Sequence, residues 1–404
     1  MARIVFAWEL GGSIGHAVAS ARLGAALAAR GHEVAFIFRD LTPLRFLPEA
    51  QAFPAFQAPR IREEGRATSP SGYAEILQGY GYLDSRSLIG LVGAWRSLLT
   101  DWKADLVVAD FSPTALLAAR TLGLRRVTYG NGFFTPPRLA PLPPFRIGPE
   151  VDIARLAENE AQVLAVVNQA LAHFSAKPLA QLSGQFETDE DFLCTFAELD
   201  HYGTRPVSHY WGPRMSTDAG ASVHWPSGGG KKVLVYVQAQ FEGLDELIGA
   251  LRMRPHSVVA FIPRLDESRR RALEGPRRKI SPSMARLDTL LAECDLLVCH
   301  GGEIAPGALM HGVPTLMLPQ HYEQFLMSLR MQQLGAGLAP GAPPAPGEIT
   351  ALLDRLLAEP AHKTNAASYA KRHPQFSPRE QRRRVIQRIE DILATNRTTP
   401  QGSP

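Results

Sequence analysis

The sequence has 404 residues, of which 45% are hydrophobic and 20% charged, and its formal net charge is +4. This length predicts two domains, and this composition excludes a largely disordered chain. The small, scattered positive charge excludes a dedicated nucleic-acid-binding protein, but it is compatible with anionic small substrates or a weak contact with a membrane surface.

Cysteine content and the first residues bear on where the protein works. The three cysteines, Cys194, Cys294 and Cys299, are too few and too far apart for a disulfide framework, so we expect buried thiols. The segment MARIVFAWEL lacks a sustained apolar run and leads directly into a strand-like pattern. We therefore expect no signal peptide, no transmembrane helix and a cytoplasmic location.

The first residues predict one strand–loop–helix–strand unit. Apolar residues 3–8 form a strand, ELGGSIG at residues 9–15 is a glycine-rich loop, and residues 16–30 form a helix of small apolar residues before a strand at 33–38. The loop contains Gly11, Gly12 and Gly15, which departs from the GxGxxG fingerprint of dinucleotide-binding proteins. An oxidoreductase is therefore a weak alternative.

The remainder of the first half continues as α/β structure with irregular interruptions. Residues 40–71 are rich in proline and predicted to be irregular, residues 73–102 form one or two helices with many aromatic and leucine residues, and Asp110 closes a buried strand at 106–109. The following predicted elements are a helix at 114–122, a strand at 127–129, a proline-dense loop at 135–149, a helix at 151–174, and irregular structure to residue 209.

A segment rich in Ser, Gly and Ala at residues 215–230 is the predicted linker, after which the alternation restarts. The second half predicts strands at 233–237, 257–262, 279–280, 296–299 and 315–318, with helices between them. An apolar stripe that includes Val385 and Ile389 marks a last helix, and residues 397–404 are expected to be a disordered tail.

Residues 294–324 carry the densest set of chemical features. A buried strand ends at His300-Gly301-Gly302, a helix stops at Gly312-Val313-Pro314, and the next strand ends at Pro319 before Glu323-Gln324. In an open α/β sheet, ligands bind beyond the carboxyl ends of the strands. A glycine-rich turn at a helix start suits an anion, and a carboxylate–amide pair suits the hydroxyls of a sugar.

His16 and Asp110 are candidates for proton transfer. His16 follows the loop after the first strand, and the ordinary pKa of histidine lies near neutrality. Asp110 closes a separate strand, so it can approach the same edge of the sheet and orient the imidazole. The alternative is that His16 is a surface or capping group and that Asp110 only caps the following helix.

The segment from His300 to Gln324 resembles the donor-binding signature of GT-B glycosyltransferases, the group that includes UDP-glycosyltransferases and bacterial macrolide and natural-product glycosyltransferases. The resemblance implies two Rossmann-like α/β/α domains that face each other across a cleft. It divides the chain into an acceptor-binding domain at residues 1–214, a linker at 215–230, a nucleotide-sugar-binding domain at 231–376 and a helix at 377–396 that packs back on the first domain.

The resemblance also assigns roles to individual residues. His16 would be the general base, Asp110 its partner, His300 a ligand of the donor diphosphate, and Glu323 and Gln324 would hold the sugar. Further donor contacts are expected at Gly301, Gly302, Glu303, Gln238 and, beside the base, Pro282, and the acceptor loop is expected to include Gly12, Ser13 and Gly15.

We therefore predict an inverting glycosyltransferase that moves a hexose or deoxyhexose from a UDP- or dTDP-sugar to a hydroxyl of a small, apolar acceptor, without metal or cofactor. At residues 303–308 the chain lacks the polar pair that the family carries after its histidine. Two alternatives remain open: a nucleotide-sugar epimerase or hydrolase of the same fold, and a non-catalytic nucleotide-sugar-binding protein.

Overall fold

The computed structural model describes residues 1–12, 14–61, 70–145, 151–206, 208–215 and 220–395. The chain forms two compact units, which are described separately: unit 1 comprises Met1–Ala197, Thr204–Arg214 and Arg379–Pro404, and unit 2 comprises Glu198–Gly203 and Met215–Pro378. The chain passes from unit 1 to unit 2 after Arg214, as the predicted boundary has it, but Glu198–Gly203 belongs to unit 2, whereas the prediction placed this segment in the first domain. Residues 216–219 of the predicted linker and the predicted tail at 397–404 lie outside the described residues.

Unit 1 is built on a six-stranded parallel sheet with the strand order β3-β2-β1-β4-β5-β6. Its strands are β1 Arg3–Trp8, β2 Glu33–Phe38, β3 Ala55–Gln57, β4 Leu106–Asp110, β5 Arg125–Gly130 and β6 Glu190–Leu193. The central strands are almost completely buried, as expected for a parallel sheet covered on both faces. Because all strands run in the same direction, their carboxyl ends form one edge, at which β1 and β4 pair through Trp8 and Asp110.

Within the described residues, the helices that connect these strands are α1 Ile14–Ala28, α2 Tyr73–Gln78, α3 Ser85–Asp101, α4 Pro113–Thr121 and α5 Ile153–His173. Local chemistry sets several of their starts. Asp84 accepts a hydrogen bond from the Ser87 N–H at the start of α3, and Asp152 accepts one from the Arg155 N–H at the start of α5. Each cap binds one of the backbone N–H groups that the first turn of a helix leaves unpaired.

Unit 2 contains a second six-stranded parallel sheet with the order β12-β11-β10-β7-β8-β9. Its strands are β7 Lys232–Tyr236, β8 Ser257–Phe261, β9 Arg278–Ile280, β10 Leu296–Cys299, β11 Thr315–Met317 and β12 Gly337–Leu338. Its helices are α6 Leu244–Arg252, α7 Glu267–Leu273, α8 Leu287–Glu293, α9 Ile304–Met310, α10 Tyr322–Gln333, α11 Glu348–Ala358 and α12 Pro360–Arg372. The carboxyl ends of β10, β11 and β7 are therefore neighbours at one edge.

The last helix, α13 Pro378–Ala394, packs on the core of unit 1 through Val385, Ile386, Ile389 and Ile392. The guanidinium of Arg125 donates hydrogen bonds to the carbonyl oxygens of Ile392 and Thr395, and so binds the unsatisfied end of the helix. The apolar stripe seen in the sequence is the buried face of this helix.

Several elements were absent from the sequence-based prediction. β3 and β6 lie in segments that we expected to be irregular, and α11 and α12 were not assigned at all. β3 has three residues and β6 has four, two of them acidic, and both are edge strands. Such short edge strands show no alternating pattern, because they have only one neighbouring strand and little buried surface.

Candidate active site

His16 and Asp110 lie together at the carboxyl edge of the sheet of unit 1. His16 is the third residue of α1 and Asp110 is the last residue of β4. The Nδ1 atom of His16 lies 2.9 Å from Oδ2 of Asp110, and the two side chains are only 5% and 1% exposed. The structure therefore brings the two predicted residues together, whereas their catalytic role stays a prediction.

Arg214 is a third member of this cluster, and the sequence did not reveal it. Its Nη1 donates a hydrogen bond to the same Oδ2 of Asp110 at 2.6 Å and another to the Tyr129 carbonyl oxygen at 2.8 Å. Burial by itself would raise the pKa of Asp110, but the positive charge of Arg214 and the contact with His16 outweigh burial and lower this pKa. Asp110 is therefore a carboxylate at neutral pH.

The glycine-rich loop lies against the imidazole. Gly11 has φ +75°, and a Cβ atom at this position would lie 3.2 Å from His16 Nε2 and 3.1 Å from the Phe111 ring. A side chain here would therefore crowd the nitrogen that faces away from Asp110. Gly12 is exposed with nothing within 4 Å of its Cβ position, and Gly15 lies in the first turn of α1. Ser13 lies outside the described residues.

Aromatic side chains surround His16. The ring of Phe134 lies 4.9 Å from the imidazole, that of Trp8 lies 5.1 Å away and stacked, and that of Phe111 lies 6.4 Å away. Phe111, directly after Asp110, has φ +49°, which is a strained backbone conformation for a residue with a side chain. Further rings extend this aromatic wall: Tyr73, Phe133, Phe145 and Phe186.

Glu9 is a second buried carboxyl group at the same edge, and sequence reasoning passed over it. Its Oε2 accepts hydrogen bonds from the Thr114 backbone N–H at 2.8 Å and from the Ser112 hydroxyl at 3.4 Å. Burial raises the pKa of Glu9 from 4.5 to about 7, although these hydrogen bonds oppose the rise. Its position after β1 was the available signal, since it directly follows a buried strand.

In unit 2, His300 follows β10 and joins three strand ends. Its Nδ1–H donates to the carbonyl oxygen of Leu318, after β11, at 2.7 Å, and the backbone N–H of Gln238, after β7, donates to its Nε2 at 2.9 Å. Burial lowers the pKa of His300, which favours the neutral ring that this bonding pattern requires. Both ring nitrogens thus have protein partners, and a contact with a ligand requires the Gln238 N–H to change partner.

The turn after His300 needs glycine for conformation and for space. Gly301 has φ +128° and Gly302 has φ +69°. A Cβ atom on Gly301 would lie 3.0 Å from Met317 and 3.2 Å from the Gln324 side chain. The missing side chain thus allows the turn and the first turn of α10 to lie side by side. Gln324 accepts a hydrogen bond from the Gln320 N–H at 2.7 Å.

The other predicted donor residues occupy different environments at the carboxyl edge of this sheet. Gln238 and Pro282 are exposed, in the loops after β7 and β9. Glu303 is half-buried and precedes α9, which has only seven residues. Glu323 is buried in the first turn of α10, and its Oε1 lies 3.2 Å from Nε2 of His201, a residue that sequence reasoning did not consider.

The remaining sequence predictions concern metals and contact with membranes. Within the described ranges, no group of three or more His, Cys, Asp or Glu side chains is arranged to hold a metal ion. The helices of these same ranges include none with both the length and the apolarity needed to cross a membrane. In the basic run at residues 269–271, each arginine is paired with a carboxylate, namely Asp245, Glu267 or Glu274.

Comparisons with known proteins show which sequences this chain is similar to. Residues 247–390 match the family model of the C-terminal domain of erythromycin biosynthesis protein CIII-like proteins. A desosaminyl transferase of 3-α-mycarosylerythronolide B from Saccharopolyspora erythraea is 36% identical over 86 residues, 20% of each protein. A PGL/p-HBAD biosynthesis glycosyltransferase from Mycobacterium tuberculosis is 24% identical over 283 residues, 65% of each protein. The matches thus span about a fifth and about two thirds of these relatives.

A structural comparison extends over nearly the whole chain. The crystal structure of the glycosyltransferase VinC in complex with dTDP matches with a TM-score of 0.63 and 16% identity, and the match covers 96% of this chain and 100% of that one. The fold is therefore that of GT-B glycosyltransferases, with two Rossmann-like units. In sequence and in fold, the chain is similar to natural-product glycosyltransferases.

Proposed function

We propose that this chain is an inverting glycosyltransferase that moves a hexose or deoxyhexose from a UDP- or dTDP-sugar to a hydroxyl of a small, apolar acceptor. The observation that carries this proposal is the buried pair of His16 and Asp110 at the carboxyl edge of a parallel sheet, with aromatic rings beside the imidazole. The desosaminyl transferase and the dTDP complex among the similar proteins support a sugar nucleotide as donor.

In the proposed reaction, Nε2 of His16 accepts the proton of the acceptor hydroxyl. The acceptor oxygen then forms a bond to the anomeric carbon, while the bond from that carbon to the diphosphate oxygen breaks and the nucleoside diphosphate leaves with the electron pair. Asp110, 2.9 Å from Nδ1, stabilises the imidazolium that results. Attack opposite the leaving group inverts the anomeric configuration.

On the donor side, we assign the diphosphate to the backbone N–H groups of the turn at Gly301 and Gly302, since such turns bind anions. Glu323 accepts hydrogen bonds from the sugar hydroxyls, Gln324 both accepts and donates them, and Pro282 lies against the base. We assign His300 to holding this turn in place, because its two ring nitrogens already join the ends of β7 and β11.

On the acceptor side, the aromatic wall around His16 supports an apolar alcohol. The rings of Trp8, Phe111 and Phe134 lie within 4.9 to 6.4 Å of the imidazole ring. An apolar acceptor gains free energy from this contact, at about 25 cal/mol per Å² of apolar surface removed from water. Gly11 and Gly12 belong to the same loop. Because Gly11 has no side chain, His16 Nε2 is not crowded, and the space beside Gly12 is open.

The test has two stages. Thermal-shift and calorimetric titrations with UDP-, dTDP- and GDP-linked sugars identify the donor, and a panel of apolar alcohols then serves for transfer assays, with NMR of the anomeric carbon in the product. We expect one uridine or thymidine donor to bind, transfer with inversion, and an unchanged rate in EDTA. His16→Gln should reduce kcat by about 10²- to 10⁴-fold without weakening donor binding.

His32→Gln is the matched control. His32 belongs to the same unit and, like His16, lies close to a carboxylate, in its case Glu390 at 3.5 Å, but it is not part of the proposed site. Equal rates for the His16 and His32 variants would remove His16 from the mechanism. Consumption of the donor with no acceptor present would instead favour an epimerase or a hydrolase. Tight donor binding without turnover across the whole acceptor panel would favour a non-catalytic binding protein.

A further inference from the structure

Glu323 is a buried carboxylate with a buried partner. It lies in the first turn of α10 with 5% of its surface exposed, and its Oε1 is 3.2 Å from Nε2 of His201, which is completely buried. Burial of a carboxylate costs several kcal/mol unless hydrogen bonds compensate for the lost water. The N–H of His201 therefore supports the charge of Glu323 and also fixes the direction in which the carboxylate points.

His201 is itself held from both sides. It belongs to the segment Glu198–Gly203, which precedes the predicted linker in sequence but packs with unit 2. Nη2 of Arg330, on α10, donates to the His201 carbonyl oxygen at 3.0 Å, and Glu198 lies 3.4 Å from His373 after α12. The backbone of His201 is thus tied to α10, which is the helix that carries Glu323.

We propose that His201 is a positioning residue of the donor-sugar subsite and that it holds the Glu323 carboxylate in the orientation that accepts a hydrogen bond from a hydroxyl of the transferred sugar. This inference rests on the proposed function, in which Glu323 binds the sugar. A glutamate that is free to rotate must lose side-chain entropy when it binds a ligand. The contact with His201 imposes this order before the sugar arrives.

The inference concerns the sugar and not the nucleotide. Glu323 lies in the first turn of α10 and His201 contacts it there, whereas the diphosphate is assigned to the turn at Gly301 and Gly302. A site built to bind a hydroxyl discriminates against ligands that lack the hydroxyl. Loss of His201 should therefore reduce the advantage that a nucleotide sugar has over the corresponding free nucleoside diphosphate, while the affinity for the diphosphate itself is unchanged.

The experiment compares two variants of the full chain by calorimetry, with UDP and dTDP and their glucose conjugates as probes. His201→Leu removes the N–H donor, and His201→Gln keeps one on a side chain of similar reach. We expect His201→Leu to weaken binding of the sugar conjugate about tenfold, as for loss of a hydrogen bond to a charged group. Binding of the free diphosphate should be unaffected. His201→Gln should restore part of the loss, and the donor KM should rise more than kcat falls.

His362→Leu is the control for a purely structural effect, because His362 forms another His–Glu pair in unit 2, with Glu359 at 3.2 Å on α12. It should leave the affinity ratio between conjugate and diphosphate at its wild-type value. If His201→Leu does not fold, a double-mutant cycle of His201→Gln with Glu323→Gln replaces it, measured as the binding free energy of the sugar conjugate. Coupling between the two substitutions supports the proposal, and strict additivity contradicts it.

The two hypotheses fail in different ways. If the His201→Leu variant keeps the wild-type ratio between its affinities for the sugar conjugate and for the free diphosphate, the role of His201 is overturned while the proposed function stands. Wild-type protein that binds the sugar conjugates no better than the free diphosphates would overturn the sugar site at Glu323 itself, and the role of His201 with it. This second outcome is read from the wild-type protein alone.

Discussion

Replacement of Arg214 by methionine tests whether the buried charge of Asp110 depends on this guanidinium. The two side chains are 2% and 1% exposed, and 2.6 Å separates Nη1 from Oδ2. Removal of one partner from a buried ion pair costs about 3–5 kcal/mol, because the remaining charge is left in a medium of low dielectric constant. In a domain of 150–250 residues this cost lowers Tm by roughly 6–20 °C.

The assay is urea and thermal unfolding at pH 7, with two further variants for comparison. Asp110→Asn combined with Arg214→Met removes the unpaired charge and should recover part of the lost stability. Arg138→Met breaks a half-exposed ion pair with Asp191, 2.8 Å apart in the same unit, and should cost less than about 1 kcal/mol.

The pH dependence has a definite sign. Arg214 and His16 keep the pKa of Asp110 lowered in the folded protein, so this carboxylate contributes stability above its unfolded pKa of about 3.9 and loses it on acidification. In the Arg214→Met variant, burial favours the protonated form of Asp110. The stability gap to the wild type should therefore narrow as the pH falls. A loss as small as that of Arg138→Met, with no rescue by Asp110→Asn, would refute the reasoning.

Two further substitutions address the neighbourhood of His16. Burial raises the pKa of Glu9 from 4.5 to about 7, so the folded protein holds a proton that the unfolded chain releases in this window, and stability falls as the pH rises through it. In urea unfolding, Glu9→Gln should thus stabilise unit 1 by up to about 3 kcal/mol at pH 8 and by less than about 1 kcal/mol at pH 5. An equal effect at both pH values would contradict this. Gly11→Ala introduces a Cβ 3.2 Å from His16 Nε2 and should reduce kcat/KM about 10- to 100-fold in the transfer assay. Gly90→Ala, on α3 with nothing within 4 Å of the added Cβ, serves as the control and should not.

The sequence predicted the framework of the site because its residues follow buried strands. Leu106–Asp110 and Arg3–Trp8 are short apolar runs closed by polar or glycine residues, and the carboxyl ends of parallel strands share an edge. This rule brings His16 and Asp110 to the same edge. It does not state that β1 and β4 are neighbours, which the pairing of Trp8 with Asp110 establishes.

The sequence could not supply the partners of the buried carboxylates. Arg214 is 104 residues from Asp110 along the chain, and His201 is 122 residues from Glu323. Neither residue stands in a periodic pattern, and each lies outside the helices and strands. Only the folded backbone defines which of many arginines and histidines reaches a given carboxylate.

The two missed residues nevertheless have one physical origin. A carboxylate that follows a buried strand or opens a buried helix loses its water, and a free charge there costs several kcal/mol. Placement of Asp110 and Glu323 in buried positions therefore requires a donor beside each of them, and Arg214 and His201 meet this requirement. Where a sequence predicts a functional carboxylate at a buried position, its hydrogen-bond donor has to be sought together with the site. The donor fixes the direction of the carboxylate that the ligand meets.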